Sequence, residues 1–211
     1  KMIVTYDKDA ANHAYVYTMD GQQLHEIALP TYGAVGFSSR YEEPEVFYAF
    51  TSFAFPTTIY QYNIDDNTST VFRKPAIDFK SDDYVTEQVF VTSKDGTKVP
   101  MFLTYKAGLQ KDGTNPTFLY GYGGFNITLN PGFSTNRLPF LENGGIYAQM
   151  NLRGGNEYGE EWHIAGTKLQ KQNVFDDCIA CAEYLINNGY TSPKYLALNG
   201  GSNGGLLVGA V

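Results

Sequence analysis

The hydrophobic positions of the chain change rhythm about a third of the way along. Over residues 1–76 they come as short runs rich in Tyr, Val, Ile and Phe, separated by turn residues, with no helical spacing between them. The runs Ala14 to Tyr17, Gln23 to Leu29, Ala34 to Ser38, Glu45 to Ser52, Thr57 to Tyr62 and Ser69 to Arg73 are predicted strands. Asp20-Gly21 marks a tight hairpin, and Asn63 to Asn67 a second turn. Strands at this spacing imply a sandwich, a barrel or propeller blades, and one four-stranded blade with pieces of a neighbour fits the count.

A polar stretch from Lys74-Pro75 to Asp82-Asp83 separates this region from one of different texture, placing a domain boundary at 76/77. Tyr84 to Thr92 and Lys98 to Tyr105 form a predicted hairpin turned by Ser93 to Gly96. Strands then alternate with helices. Thr117 to Gly121, Gly145 to Leu152 and Tyr195 to Leu198 are apolar and read as buried strands. A helix is predicted from Val174 to Asn188, with Phe175, Ile179, Ala182, Leu185 and Ile186 on one face and Gly189 as its stop. Asp176 and Asp177 would then lie in its first turn, complementing the dipole without any catalytic role. A further helix begins near Asn203. A hairpin leading into β/α alternation is the signature of a mixed α/β sheet.

Composition narrows the classes. In 211 residues, 43% apolar and 18% charged describes an ordinary globular chain, and 17 Tyr with 22 Gly suits strands and tight turns. A net charge of −7 argues against nucleic acid or an anionic membrane as partner. No apolar run is long enough to span a bilayer. No signal peptide is visible, and both ends, Lys1 and the apolar run Leu206 to Val211, read as cuts through a longer protein. Cys178 and Cys181 form a C-x-x-C inside the predicted helix, away from the N-terminal dipole that would activate a thiol. With no second pair and with His13, His25 and His163 scattered, no metal site and no cofactor is expected. Two buried free thiols fit a reducing, cytoplasmic compartment.

The chemistry concentrates in Asn199-Gly200-Gly201-Ser202-Asn203-Gly204-Gly205. Gly200-x-Ser202-x-Gly204 lies between an apolar strand and an apolar helix, the setting of a nucleophile elbow. There the serine occupies a strained turn, glycines to either side avoid collision with neighbouring backbone, and the helix N-terminus faces a developing oxyanion. The pattern alone arises often by chance; its strand-turn-helix setting makes Ser202 the candidate nucleophile. A second glycine-rich stretch, Leu119 to Phe125, follows the strand at Thr117 and could present donors toward the elbow.

Taken together, Tyr120-Gly121-Tyr122-Gly123-Gly124-Phe125-Asn126, Asn151-Leu152-Arg153-Gly154-Gly155, Glu157-Tyr158-Gly159, Trp162-His163, Lys171-Gln172-Asn173, Phe175-Asp176-Asp177 and the elbow give a chain that closely resembles prolyl oligopeptidases. These are serine peptidases in which a β-propeller caps an α/β-hydrolase domain. The resemblance implies an α/β fold: a partial α/β-hydrolase domain over 77–211, preceded by all-β propeller blades over 1–76. It implies cleavage of short proline-containing peptides on the carboxyl side of proline, by a protein monomeric when complete. Ser202 matches the nucleophile, the backbone N–H of Asn203 one oxyanion donor and the Tyr122 hydroxyl the second. Phe125 matches a wall of the proline pocket. The related oligopeptidase B usually carries alanine after the nucleophile, so Asn203 favours the proline-specific branch.

The family's catalytic Asp and His follow the elbow, whereas this chain ends at Val211. None of the three histidines matches the triad, His163 included, so the 211 residues alone are expected to be nearly inert. Arg153 could anchor a substrate carboxylate, but a structural role at the end of its strand is favoured. Two alternatives stay open: a non-catalytic scaffold retaining a hydrolase shell, and an oligopeptidase specific for basic or acylated residues.

Overall fold

The computed structural model describes residues 1–41 and 43–211. They form two compact units: residues 1–81 with 130–134, and residues 82–129 with 135–211.

The first unit is all β. β1 (Met2–Lys8), β2 (Ala11–Tyr17) and β3 (Gln23–Ile27) make one antiparallel meander, and β4 (Ala34–Ser39), β5 (Glu45–Ser52), β6 (Phe55–Asn63) and β7 (Thr68–Arg73) make a second. The alternation in β5 buries Val46, Tyr48, Phe50 and Ser52 and leaves the residues between them outward. With Ala14, Val16, Ile27 and Tyr62 the three apolar members form one core. Tyr48 stacks on Tyr60 with ring centroids 4.9 Å apart, and its hydroxyl reaches Ser69. The hairpin at Asp20-Gly21 forms with Gly21 at φ 91°. Strand β1 has no counterpart among the predicted runs. Its turn to β2 is Asp9-Ala10, both at positive φ (51° and 62°); aspartate suits that conformation, but at the second position sequence patterns expect Gly and the chain has Ala10.

The second unit is a five-stranded mixed sheet. β8 (Tyr84–Thr92) and β9 (Lys98–Lys106) are its antiparallel hairpin; β10 (Thr117–Tyr120), β11 (Ile146–Met150) and β12 (Leu196–Asn199) run parallel to one another, in the order β12-β10-β11-β9-β8. Helices α1 (Leu138–Glu142), α2 (Glu160–Ile164), α3 (Gln172–Asn187) and α4 (Asn203–Ala210) complete it. Strand β12 was expected to be buried. It lies at the sheet edge with β10 its sole neighbour among the described residues, and its residues alternate between half-buried and exposed.

Helix α3 ends as its sequence predicts. Gly189 at φ 73° donates to Ile186 O and Tyr190 N donates to Leu185 O, the paired bonds of a Schellman motif. Two other expectations are corrected. The buried face is Val174, Cys178, Cys181 and Leu185, while Ile179 is exposed, because the face turned to the sheet is about one residue out of phase with the predicted stripe. The helix also starts at Gln172, so Asp176 and Asp177 lie in its second turn; Asp177 is fully buried and serves a different purpose.

Candidate active site

The site forms where the parallel strands β10 and β12 end. Their register pairs Tyr120 with Asn199, and Gly121 N donates to Asn199 O, so the loops leaving the two strands start side by side. Pockets in open α/β sheets form in this position, outside the carboxyl ends of strands.

Ser202 caps α4 with φ 53° and ψ −117°, a combination rare for any residue with a Cβ, and its side chain makes no bond to the helix it precedes. The side chain is exposed. The glycines that flank it are a steric requirement. A Cβ on Gly204 would lie 2.6 Å from Gly121 O, and one on Gly200 would run into the Gly204 carbonyl. Gly201 and Gly205 have room. The first N–H of α4, that of Asn203, has no partner inside the helix, as helix geometry requires.

The loop after β10 is bound to this elbow through Asn203. Asn203 Nδ2 donates to Tyr122 O at 2.6 Å, and Gly124 packs so closely on the Asn203 amide that a Cβ there would overlap it. Lys171 Nζ donates to Gly123 O at 2.7 Å and reaches Asn203 Oδ1 at 3.4 Å. Burial pushes the Lys171 ammonium below the usual lysine range. Phe125 follows at φ 54° with 73% of its surface exposed, so the sharp turn there projects an aromatic ring into solvent. Beside it runs an open groove of about 450 Å³ lined by Phe125, Asn126, His163, Lys171 and Asn203.

The structure thus brings the Tyr122 main chain, Asn203 and the Ser202 turn together, with Phe125 at the adjoining groove. His163 is held elsewhere: its Nδ1 donates to Gly154 O at 2.8 Å, as it must to a carbonyl. His13 pairs with Glu26 and His25 with the Tyr62 hydroxyl. No hydrogen bond joins any of them to Ser202 among the described residues. Arg153 is buried at the end of β11 and bound by Asp177, Asp95 and Ser93, which leaves it no free fork for a substrate carboxylate. Cys178 and Cys181 are free and buried, with burial pushing Cys178 up to about 12 and Cys181 well above its ordinary value, so neither is a ready thiolate.

Two participants were not assigned from sequence. One is Asp177 as the partner of Arg153, with nothing in the spacing to reveal it. The other is Lys171, for which a signal existed: a cation immediately before a helix opposes the dipole and calls for another reason to be there.

The chain matches two models of known families. Residues 1–75 match the N-terminal β-propeller domain of prolyl oligopeptidase, and residues 131–211 match the prolyl oligopeptidase family itself. It is 55% identical over 98% of its length to a prolyl endopeptidase of Elizabethkingia meningoseptica, covering 29% of that protein. It is 43% identical over its whole length to a prolyl endopeptidase of Dictyostelium discoideum, covering 28%. A solved prolyl endopeptidase structure superposes with a TM-score of 0.91 at 47% identity, over 99% of this chain and 31% of that one. Prolyl oligopeptidase B from Galerina marginata gives 0.88 at 37%, over 98% and 30%. The chain therefore spans less than a third of the length of these relatives. The antiparallel sheets of the first unit are propeller structure, and the mixed sheet of the second is part of an α/β domain.

Proposed function

The chain belongs to the prolyl oligopeptidase family, and from that premise we propose that the complete protein is a serine peptidase cleaving short peptides after proline. The observation that carries this is Ser202, held in a strained turn at a helix N-terminus between two glycines that admit no side chain. Ser202 Oγ attacks the carbonyl carbon of the proline residue while a general base takes its proton. The carbonyl oxygen becomes the oxyanion, stabilised by the Asn203 N–H and the Tyr122 hydroxyl, each donor contributing about 3–4 kcal/mol. The leaving amine takes the proton from the base, and water then hydrolyses the ester formed on Ser202. The base and its orienting carboxylate come from portions of the complete protein outside these residues, since the three histidines here have other partners.

Phe125, exposed beside the groove, is proposed as one wall of the pocket for the substrate proline, a flat apolar ring packing on another. The propeller is proposed to give way to the peptidase domain near residue 76. Cytoplasmic placement is supported by the two free cysteines, and a monomeric complete protein by the family.

The test is labelling of the complete protein with a fluorophosphonate, together with turnover of proline and arginine reporter peptides. Labelling and proline turnover, both lost in Ser202→Ala, are expected. Labelling that persists in Ser202→Ala refutes the nucleophile; no labelling of the wild type favours a scaffold; preference for arginine refutes the specificity.

A further inference from the structure

Lys171 is out of place by the usual rules. It stands immediately before α3, where the positive helix pole disfavours a cation, it is half-buried, and no carboxylate pairs with it among the described residues. Phe175 lies beneath it with the ring centroid 6.0 Å away. Its hydrogens serve the Gly123 carbonyl at 2.7 Å and Asn203 Oδ1 at 3.4 Å.

That second contact decides how Asn203 is oriented. An ammonium is a donor only, and a backbone carbonyl is an acceptor only. With Lys171 on one side and Tyr122 O on the other, the Asn203 amide has one satisfactory orientation: Oδ1 to the ammonium, Nδ2 to the carbonyl at 2.6 Å. The reversed amide would set oxygen against oxygen at Tyr122. Lys171 also holds the next carbonyl, that of Gly123, whose own residue sits at φ 60°. Two successive peptide planes of the loop are therefore fixed from α3 and α4. The first of those planes, between Tyr122 and Gly123, adjoins the Tyr122 Cα and so limits the direction in which that side chain leaves the backbone.

We propose that Lys171 is a positioning residue for the oxyanion site. Its ammonium locks the Asn203 amide and the Tyr122-Gly123-Gly124 backbone so that the Tyr122 hydroxyl and the Asn203 N–H meet the same oxygen. This rests on the assignment of Ser202, Tyr122 and Asn203 made above. An interaction realised through transition-state donors lowers kcat and leaves ground-state binding alone.

The experiment uses the complete protein and a proline reporter peptide. Lys171→Met is expected to lower kcat tenfold or more with KM changed less than threefold. Lys171→Gln, which keeps a donor without the charge, is expected to fall between it and wild type. In a Tyr122→Phe background the same Lys171→Met change is expected to cost less than threefold further, because the group it positions is gone. Thermal midpoints separate loss of fold from loss of positioning, and if the Met variant does not fold, the Gln variant and its Tyr122→Phe double carry the same comparison. Ser202→Ala tells the two levels apart. If it still turns over, the catalytic assignment fails and this inference with it. If Ser202→Ala is inactive but the Lys171 variants turn over within twofold of wild type, or multiply fully with Tyr122→Phe, Lys171 has no positioning role.

Discussion

Arg153 and Asp177 form a pair sealed inside the α/β unit, with Nη2 2.6 Å from Oδ1 and side-chain exposures of 5% and 0%. Arg153 Nε and its own backbone N–H also donate to Asp177 Oδ2, and Ser93 Oγ donates to Oδ1 at 2.6 Å. The pair fastens three segments: the turn of the β8–β9 hairpin, the end of β11 and the second turn of α3. Removing one partner leaves a buried charge uncompensated, at a cost of about 3–5 kcal/mol. Asp177→Asn is therefore expected to destabilise this unit by that amount in urea unfolding of the complete protein. Asp95, the second partner of Arg153, is half-exposed, and Asp95→Asn is expected to cost under about 1 kcal/mol. Equal effects of the two changes would refute the distinction.

Asp95 also predicts an acid response. The hydrogen bond from the Arg153 guanidinium holds its carboxyl down at about 2, below its ordinary 3.8. A carboxylate depressed in the folded state adds stability that is present above its unfolded pKa and lost as pH falls through the folded one. The stability difference between wild type and Asp95→Asn is expected to be constant above about pH 5 and to close between about pH 4 and pH 2. A difference that persists unchanged at pH 2 would show that Asp95 acts other than as a carboxylate.

How much of this was legible beforehand depends on whether an element's reason is local. Strand β5 matches its predicted limits because its inward and outward residues alternate strictly. The elbow was legible because sterics demand glycine at 200 and 204, and those glycines bracket Ser202 at fixed spacing. Strand β1 was missed because its turn places Ala10 at positive φ where the hairpin signal calls for glycine, and the surrounding structure overrides that preference. The purpose of Arg153 was half legible. Its burial at a strand end follows from the glycines around it, but its partner lies 24 residues away beside another aspartate, and only the packing of α3 selects Asp177 over Asp176. The tie from Lys171 to the Gly123 carbonyl and the Asn203 side chain is likewise tertiary.

Crowding around the elbow separates glycines that look equivalent in sequence. A Cβ at Gly204 would sit 2.6 Å from Gly121 O, a backbone atom of the neighbouring strand end that cannot move aside cheaply, whereas Gly201 meets nothing within 4 Å. Gly204→Ala is expected to destabilise by about 1–3 kcal/mol, the usual cost of overpacking, and to lower turnover at least tenfold by displacing Ser202. Gly201→Ala is expected to stay within about 0.5 kcal/mol of wild type. Thermal unfolding of both variants checks the contrast, and a Gly204→Ala protein as stable as Gly201→Ala would contradict it.

Ser202 itself carries strain that a substitution can release. At φ 53° and ψ −117° a residue with a Cβ sits in a sparsely populated region, at a cost of order 1–3 kcal/mol. Glycine tolerates that conformation and gives back only about 0.5–1 kcal/mol through the greater freedom of its unfolded chain. Ser202→Gly is therefore expected to be more stable than wild type by about 1 kcal/mol, with no turnover. Ser202→Ala keeps the Cβ and the strain, and it is expected to match wild-type stability while also being inactive. Because both variants lack the hydroxyl, the difference between them isolates the backbone. Thermal unfolding of the two side by side is the measurement, and an alanine variant as stable as the glycine variant would mean that the turn at Ser202 stores no strain.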